Sequence, residues 1–155
     1  DHDAVRRALA SFEGVKRRFE FYVNTPRQVY MDDYAHHPTE IAATLDAARQ
    51  MGYDRVICVY QPHTYSRTKG LFDEFAAALG KADLPILCDI YAARETDTLG
   101  VSSELLAKAT RGAVYMESFD RIADYLREHA RAGDLILTMG AGDIAKLAGL
   151  LLGGK

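Results

Sequence analysis

Residues 55–68, RVICVYQPHTYSRT, carry the clearest sign of the fold. After Arg55, the first part of this stretch is apolar, aromatic or β-branched, which predicts a strand buried on both faces. The second part is polar and aromatic, and a helical pattern over residues 69–80 follows it. A buried strand that leads into a helix is typical of a sheet covered by helices.

The same alternation of strand and helix continues on both sides of this stretch. We therefore predict a doubly wound, Rossmann-like α/β domain with a mostly parallel sheet and helices on both faces. The segment 19–23 is a possible antiparallel edge strand. The predicted strands are 29–31, 55–60, 84–90, 113–116 and 134–138, and the predicted helices are 3–12, 38–51, 69–80, 102–109, 119–131 and 142–152.

The composition is that of an average globular domain. The 155 residues are 48% hydrophobic and 26% charged, with a formal net charge of −3. This balance excludes a disordered segment and a collagen-like repeat, and the length permits one domain with its own core. No apolar run approaches the ~20 residues that cross a bilayer. Because a nucleic-acid binder needs a basic surface, we expect neither a nucleic acid nor a membrane as partner.

The two cysteines indicate the expected compartment. Cys58 and Cys88 each lie inside an apolar run. Such residues are usually free, buried thiols, which persist in a reducing environment. We therefore expect a cytoplasmic protein.

Ionisable, aromatic and glycine residues concentrate where the predicted strands end. They fill segments 32–38, 61–68, 91–95 and 140–143, whereas the opposite ends carry ordinary turns such as 51–54. Ligands of open α/β sheets bind outside the carboxyl ends of the strands. This asymmetry predicts that one rim of the sheet is functional.

The segment Asp32 to His37 has three possible interpretations. Two carboxylates and two imidazoles suit a divalent metal, but their spacing matches no standard metal signature. The same groups suit substrate contact, with an acidic group for ribose hydroxyls and an imidazole as hydrogen-bond partner. An Asx-turn and a helix cap explain them without function. Two adjacent histidines exceed what capping needs, which favours function, and we assign no metal ligand.

Two further segments also allow both a functional and a structural interpretation. Residues 61–68 place Arg67 near a predicted helix start, where an anion binds well, or where the helix is merely capped. Gly140 and Gly142 match the outline of a dinucleotide-binding turn, which keeps open a stand-alone dinucleotide-binding domain. Asp143 has the wrong charge for a pyrophosphate, and tight packing of strand against helix is the favoured interpretation.

Four motifs together resemble the Mur ligase family. GVKRRFE at 14–20 looks like the segment that joins the central and C-terminal domains of that family. DDYAHHPTE at 32–40 looks like its His-His-Pro signature, QPHTYSRT at 61–68 like its "QPHRYTRT" stretch, and LTMGAGDI at 137–144 like its final strand and turn.

The resemblance implies a division of the chain and a larger enzyme. Residues 14–155 resemble the C-terminal Rossmann-like domain, and residues 1–13 resemble the tail of the central domain with the interdomain hinge. Within the family, the motifs resemble those of the branch that joins the carboxylate of UDP-N-acetylmuramate to L-alanine through an acyl phosphate, and the resemblance implies a role in peptidoglycan biosynthesis in the bacterial cytoplasm. ATP and Mg²⁺ are implied, held mainly by the central domain.

The partners implied are therefore UDP-N-acetylmuramate, L-alanine and the central and N-terminal domains of such an enzyme. Because the chain has no P-loop, we expect it to be inactive by itself. The ligase that recycles murein tripeptide shares a similar His-His-Pro segment and is the alternative within the family.

Site residues follow from the matched motifs. Arg18 and Asp33 match residues near the nucleotide. Tyr34, His36 and Arg67 match residues around the amino acid and the acyl phosphate, and His36 and Arg67 are the candidate catalytic groups, since a phosphate in transfer needs positive charge placed in advance.

One position of this site departs from the family pattern. His63 is a further substrate-binding candidate in the same segment as Arg67. The family often has Arg directly after this histidine, where this chain has Thr64. We therefore expect Arg67 to carry more of the substrate contact.

Overall fold

A computed structural model describes residues 1–12 and 14–153. Its centre is a six-stranded sheet with the order β1-β2-β6-β3-β4-β5. The predicted fold class is confirmed. The strands are β1 (Glu20–Asn24), β2 (Val29–Asp33), β3 (Arg55–Tyr60), β4 (Leu84–Leu87), β5 (Val114–Tyr115) and β6 (Asp134–Met139).

The sheet is parallel except at one edge. β1 pairs with β2 antiparallel, so the expected antiparallel edge strand is confirmed. The last strand, β6, inserts between β2 and β3 and is parallel to both. Every residue of β2, and every residue of β3 after Arg55, is buried. The apolar sequences of residues 29–31 and 56–60 predict this, whereas the burial of Asp32 and Asp33 at the end of β2 does not follow from an apolar pattern.

Helices cover both faces of the sheet. α2, α4 and α5 pack on one face, where Leu45, Phe75 and Leu106 are fully buried. α6 and α7 pack on the other face around Ile122 and Leu147. The helices are α1 (His2–Ala10), α2 (Pro38–Gln50), α3 (Tyr65–Gly70), α4 (Phe72–Leu79), α5 (Ser103–Ala109), α6 (Phe119–His129) and α7 (Lys146–Leu152).

The predicted helix 69–80 is wrong in its start and its continuity. The structure has two helices, α3 and α4, which are separated at Leu71 (φ −127°, ψ 31°). In α3 only Thr68 is buried, and its hydroxyl donates to the carbonyl of Thr64. A helix with so little apolar surface leaves no hydrophobic periodicity to detect.

Two other predicted elements are shorter in the structure. The strand expected over 84–90 ends at Leu87. The last helix begins at Lys146 rather than residue 142 because the preceding turn is held elsewhere: the side chain of Gln61 accepts from the amide of Ile144 at 3.0 Å and donates to Asp143 at 2.8 Å.

The first helix stands apart from the core. None of the residues of α1 is buried, although its sequence is amphipathic. Val5 and Leu9, together with Phe12 just beyond the helix, are 57%, 70% and 65% exposed. Residue 13, at the end of the predicted hinge, lies outside the described residues.

Candidate functional site

The strand order brings the candidate residues to one rim. β2, β6 and β3 are neighbours, and their carboxyl ends lie side by side. The loop after β2 carries Tyr34 and His36, and the loop after β3 carries His63 and Arg67. Segments that are about 30 residues apart in the sequence are thus separated only by the turn that follows β6.

Arg18 and Tyr34 form the side of this rim next to the hinge. The guanidinium carbon of Arg18 lies 5.6 Å from the centre of the Tyr34 ring, a cation–π distance. Arg18 is exposed, and a cleft of about 490 Å³ formed by residues 14–16 and 18–21 lies beside it. A positive group at the edge of a cleft is suited to an anionic ligand.

His36 is held with one ring nitrogen free. Its Nδ1 lies 3.0 Å from the carbonyl oxygen of Tyr34 and 3.5 Å from a carboxylate oxygen of Glu40. Both partners are acceptors, which assigns the hydrogen to Nδ1. In the neutral ring Nε2 is therefore an acceptor. The ring also packs edge-on against Tyr34, with centres 5.3 Å apart, so its orientation is fixed.

His37, by contrast, serves the start of α2. Its Nδ1 accepts from the amide of Thr39, and Glu40 reaches back to the His37 amide, which completes a capping box. Pro38 occupies the first helical position, as predicted. The helix-cap interpretation of this segment therefore applies to His37, whereas His36 is not the capping residue and keeps the interpretation as a substrate contact.

His63 and Arg67 have polar atoms without protein partners. Nδ1 of His63 and one Nη atom of Arg67 are buried, and neither has a hydrogen-bond partner among the described residues. The His63 ring stacks on the Tyr91 ring, with the ring centres 5.5 Å apart. Burial lowers the pKa of His63, and the charge of Arg67 and that of His36 in its protonated form lower it further, so Arg67 and His36 both lie within electrostatic range of His63. Buried polar atoms of this kind require a ligand or water.

The carboxylate of Asp33 is engaged in hydrogen bonds within the protein. Its Oδ2 accepts from the amide of Phe19 at 3.0 Å, and its Oδ1 accepts from the amide of Ala35 at 2.8 Å and from the hydroxyl of Thr44 at 3.5 Å. The residue is only 3% exposed. Asp33 therefore joins the segment 14–20 to the rim.

Asp32 and Arg17 form a buried ion pair that the sequence analysis did not single out. Asp32 is fully buried, and its carboxylate accepts from Nε of Arg17 at 2.8 Å and from the hydroxyl of Thr138 at 2.6 Å. Burial raises the pKa of Asp32, and these two hydrogen bonds oppose the rise. Arg17 also donates to the carbonyl of Gly140 at 2.6 Å. The pair thus connects the segment 14–20 to β2 and β6.

The glycine turn after β6 serves packing. Gly140 has a φ of +147°, and a Cβ there would lie 2.8 Å from the carbonyl oxygen of Gln61. At Gly142 a Cβ would lie 2.8 Å from the Tyr91 side chain. These contacts agree with the favoured packing interpretation of the turn.

Two negative findings apply to the described part of the chain. Residues 1–12 and 14–153 contain no group of three or more His, Cys, Asp or Glu side chains placed to hold a metal ion. Within the same residues, every helix is too short or too polar to cross a membrane.

Comparison with known proteins places this geometry in a family. Residues 17–142 match the family described as Mur ligase, glutamate ligase domain. The chain belongs to the Mur ligase family. A UDP-N-acetylmuramate–L-alanine ligase from Lachnospira eligens is 49% identical over 98% of this chain, which corresponds to 34% of that protein. The chain spans about a third of the length of the curated Mur ligases it matches.

Solved Mur ligase structures share the fold. A UDP-N-acetylmuramate-alanine ligase from Thermotoga maritima superposes with a TM-score of 0.81 at 24% identity, over 99% of this chain and 33% of that one. A murein peptide ligase from Psychrobacter arcticus superposes with a TM-score of 0.72 at 26% identity, over 95% of this chain and 31% of that one. The mixed sheet with its flanking helices is therefore the fold of this part of the Mur ligases.

Proposed function

We propose that this chain is the amino-acid-binding, ATP-closing domain of an enzyme that joins L-alanine to the carboxylate of UDP-N-acetylmuramate. The observation that carries the proposal is the convergence of Arg18, Tyr34, His36, His63 and Arg67 on one rim. The similarity to UDP-N-acetylmuramate–L-alanine ligases supports the choice of substrates. The enzyme would act in peptidoglycan precursor synthesis in the bacterial cytoplasm.

Arg67 and His63 bind substrate oxygen in this proposal. Arg67 has a guanidinium nitrogen without a partner among the described residues, and His63 has a ring nitrogen in the same condition. A guanidinium in a partly buried site stabilises a carboxylate or a phosphate oxygen strongly. The lowered pKa of His63 favours the neutral form of this ring, and Arg67 supplies a positive charge beside it.

His36 receives the proton of the amine. An ammonium group must lose one proton before its nitrogen can attack an activated carboxylate, and a neutral imidazole is a suitable acceptor of that proton. Because Nδ1 holds the hydrogen that faces Tyr34, Nε2 is the nitrogen available. Tyr34 lines the same position and fixes the ring.

Arg18 and Asp33 belong to the nucleotide side. ATP supplies the phosphoryl group that makes a carboxylate reactive. The exposed guanidinium of Arg18 beside a cleft fits a phosphate. Asp33 supports this side of the rim through its hydrogen bonds with Phe19, Ala35 and Thr44, which hold the segment that carries Arg18 in place. For Mg²⁺, the described residues offer no cluster of ligands, and we assign it to the central domain.

We propose residues 14–155 as the C-terminal domain, preceded by the hinge and the tail of the central domain in 1–13. The partners are then the central and N-terminal domains, with the substrates between them. The alternative is the ligase that recycles murein tripeptide, which the likeness to the Psychrobacter arcticus murein peptide ligase favours. In that ligase the same rim would bind the substrate that carries the amine, and only the identity of this substrate would differ: a tripeptide in place of L-alanine.

The test measures phosphate release from ATP in the multidomain protein that carries this sequence. With UDP-N-acetylmuramate, we expect release to depend on L-alanine, and we expect none from the 155-residue chain alone. His36→Ala should lower kcat by about 10²–10⁴-fold, the usual contribution of a general base. Arg67→Ala should raise the KM for the amino acid.

The control is His129→Ala, since His129 lies on the opposite edge of the domain at the end of α6. Unchanged kcat and KM in His36→Ala and Arg67→Ala would remove these residues from the site. Release that requires a murein tripeptide in place of L-alanine would favour the recycling ligase. Alanine-dependent release by the isolated chain would contradict its proposed role as one domain of a larger enzyme.

A further inference from the structure

Glu95, in the loop after β4, reaches the start of α3. Its carboxylate accepts from the amide of Ser66 at 3.0 Å, from the hydroxyl of Thr64 at 2.8 Å and from the hydroxyl of Ser66. The side chain of Thr64, at the N-cap position, makes no capping hydrogen bond of its own. The cap of α3 is therefore supplied by a residue about 30 positions away in the sequence.

A second set of contacts runs alongside the first. The amide of Tyr91 donates to the carbonyl of Pro62 at 2.8 Å, and the Tyr91 ring stacks on His63. His63 and Tyr91 also form a parallel β-bridge beyond the ends of β3 and β4. The loop 91–95 thus follows residues 62–66 along their length, with Tyr91 at one end and Glu95 at the other.

These contacts bear on the ligand-binding groups of the rim. A carboxylate already occupies the amide of Ser66, so the start of α3 is closed to an incoming anion, and anion binding falls to the Arg67 side chain. The hydrogen bond from the Ser66 hydroxyl, with the others, lowers the pKa of Glu95 to about 2. Glu95 is therefore an anion throughout the physiological range and holds its partners by charge-assisted hydrogen bonds.

We propose that Glu95 is a positioning residue of this site, which holds segment 63–67 against loop 91–95 so that His63 and Arg67 face the substrate. It touches neither substrate nor nucleotide. The proposal depends on the proposed function for what Arg67 and His63 bind, whereas the contacts of Glu95 are independent of it. A misplacement of about 1 Å in such groups is enough to cost a large factor in rate.

The test compares Glu95→Gln with the wild type by two readouts. In the multidomain protein, we expect the KM for the amino acid to rise about tenfold while the KM for ATP stays the same, because the nucleotide side of the rim does not involve loop 91–95. In the 155-residue chain, the ring protons of His63 should change chemical shift in NMR spectra as the stacking on Tyr91 loosens. Glu95→Asp, which keeps the charge, should bring both the KM for the amino acid and the His63 chemical shifts part of the way back to the wild-type values.

Glu128→Gln is the matched control, since it removes the same charge from an exposed position in α6 near the opposite edge of the domain. If Glu95→Gln does not fold, Ser66→Ala removes one partner of the same carboxylate and should give smaller changes of the same kind. Unchanged KM values, an equal rise in both, or unchanged His63 shifts would overturn the proposal. If the wild-type protein itself shows no alanine-dependent phosphate release, the proposed function fails, and the His63 shifts alone then decide the role of Glu95.

Discussion

Arg17 and Arg18 are neighbours in the sequence with different roles. The guanidinium of Arg17 is engaged by Asp32 and by the carbonyl of Gly140, and its own carbonyl accepts from the amide of Tyr34 at 2.7 Å. Arg18 is exposed beside its cleft. Arg17 therefore holds the segment 14–20 against the sheet, and Arg18 is available to a ligand.

Arg17→Met should destabilise the domain by about 3–5 kcal/mol near pH 7, because it leaves the Asp32 carboxylate buried without its cation. The sign of the pH dependence follows from the pKa of Asp32, which burial already raises in the folded state and which loss of Arg17 raises further. The folded variant then binds a proton more readily than the unfolded chain, so the deficit relative to wild type should shrink as pH falls from 7 to 5. Urea unfolding of the variant and the wild type at pH 7 and pH 5 measures this loss of unfolding free energy.

Arg18→Met serves as the control for this prediction and should change the unfolding free energy by less than about 0.5 kcal/mol, as expected at an exposed position. An Arg17→Met deficit that is the same at pH 7 and pH 5 would mean that Asp32 is not the group left unpaired.

At the scale of elements, the glycines in the turn between β6 and α7 match the outline of a dinucleotide-binding turn, but in this structure they serve close packing. In this domain Gly140 brings the turn against Gln61, whose side chain holds Asp143 and Ile144. The start of α7 is thereby displaced to Lys146, away from the glycines. The glycines here permit close packing, and the helix N-terminus does not meet them.

Gly140→Ala should therefore destabilise the domain by about 1–3 kcal/mol, because a Cβ would stand 2.8 Å from the Gln61 carbonyl at a φ of +147°. Gly149→Ala is a control of opposite sign: it lies within α7 with nothing within 4 Å of its added Cβ, and alanine there should stabilise by about 0.5–1 kcal/mol. Thermal or urea unfolding compares the two, and equal effects would contradict the packing role of Gly140.

At the scale of the whole molecule, α1 contributes nothing to the core. It has a polar face and an apolar face, yet all of its residues are exposed. Among the described residues, the first hydrogen bonds to the sheet are those of Arg17. The folding unit therefore starts in the segment 14–20, after the predicted hinge.

Removal of residues 1–12 should leave the unfolding free energy within about 0.5 kcal/mol of its original value, because no buried surface or tertiary hydrogen bond is lost. Removal of residues 1–19 should destabilise strongly, since it deletes Arg17 and the amide of Phe19 that bonds Asp33. Denaturant unfolding of the two truncated chains distinguishes them. A large loss from the shorter truncation would show that α1 packs on the domain in solution.

Sequence patterns located the rim but not the roles of its residues. The strand ends could be found because apolar runs and their polar successors are local features, and His36, His63 and Arg67 came from them. His36 and His37 are indistinguishable in sequence; they differ in the structure because the start of α2 turns the ring of His37 onto the Thr39 amide. Glu95 gave no usable signal, since its partners lie in another loop.

The α/β class and the antiparallel edge follow from the sequence by itself, because alternation and burial of strands depend on neighbouring residues, and the polar residues that follow the strands predict the candidate rim. Only the tertiary structure decided that β6 inserts between β2 and β3, that Arg17 pairs with Asp32, and that Glu95 caps α3. Such contacts join residues far apart in the chain. They exist only once the order of the strands is set, and that order depends on the packing of the whole core.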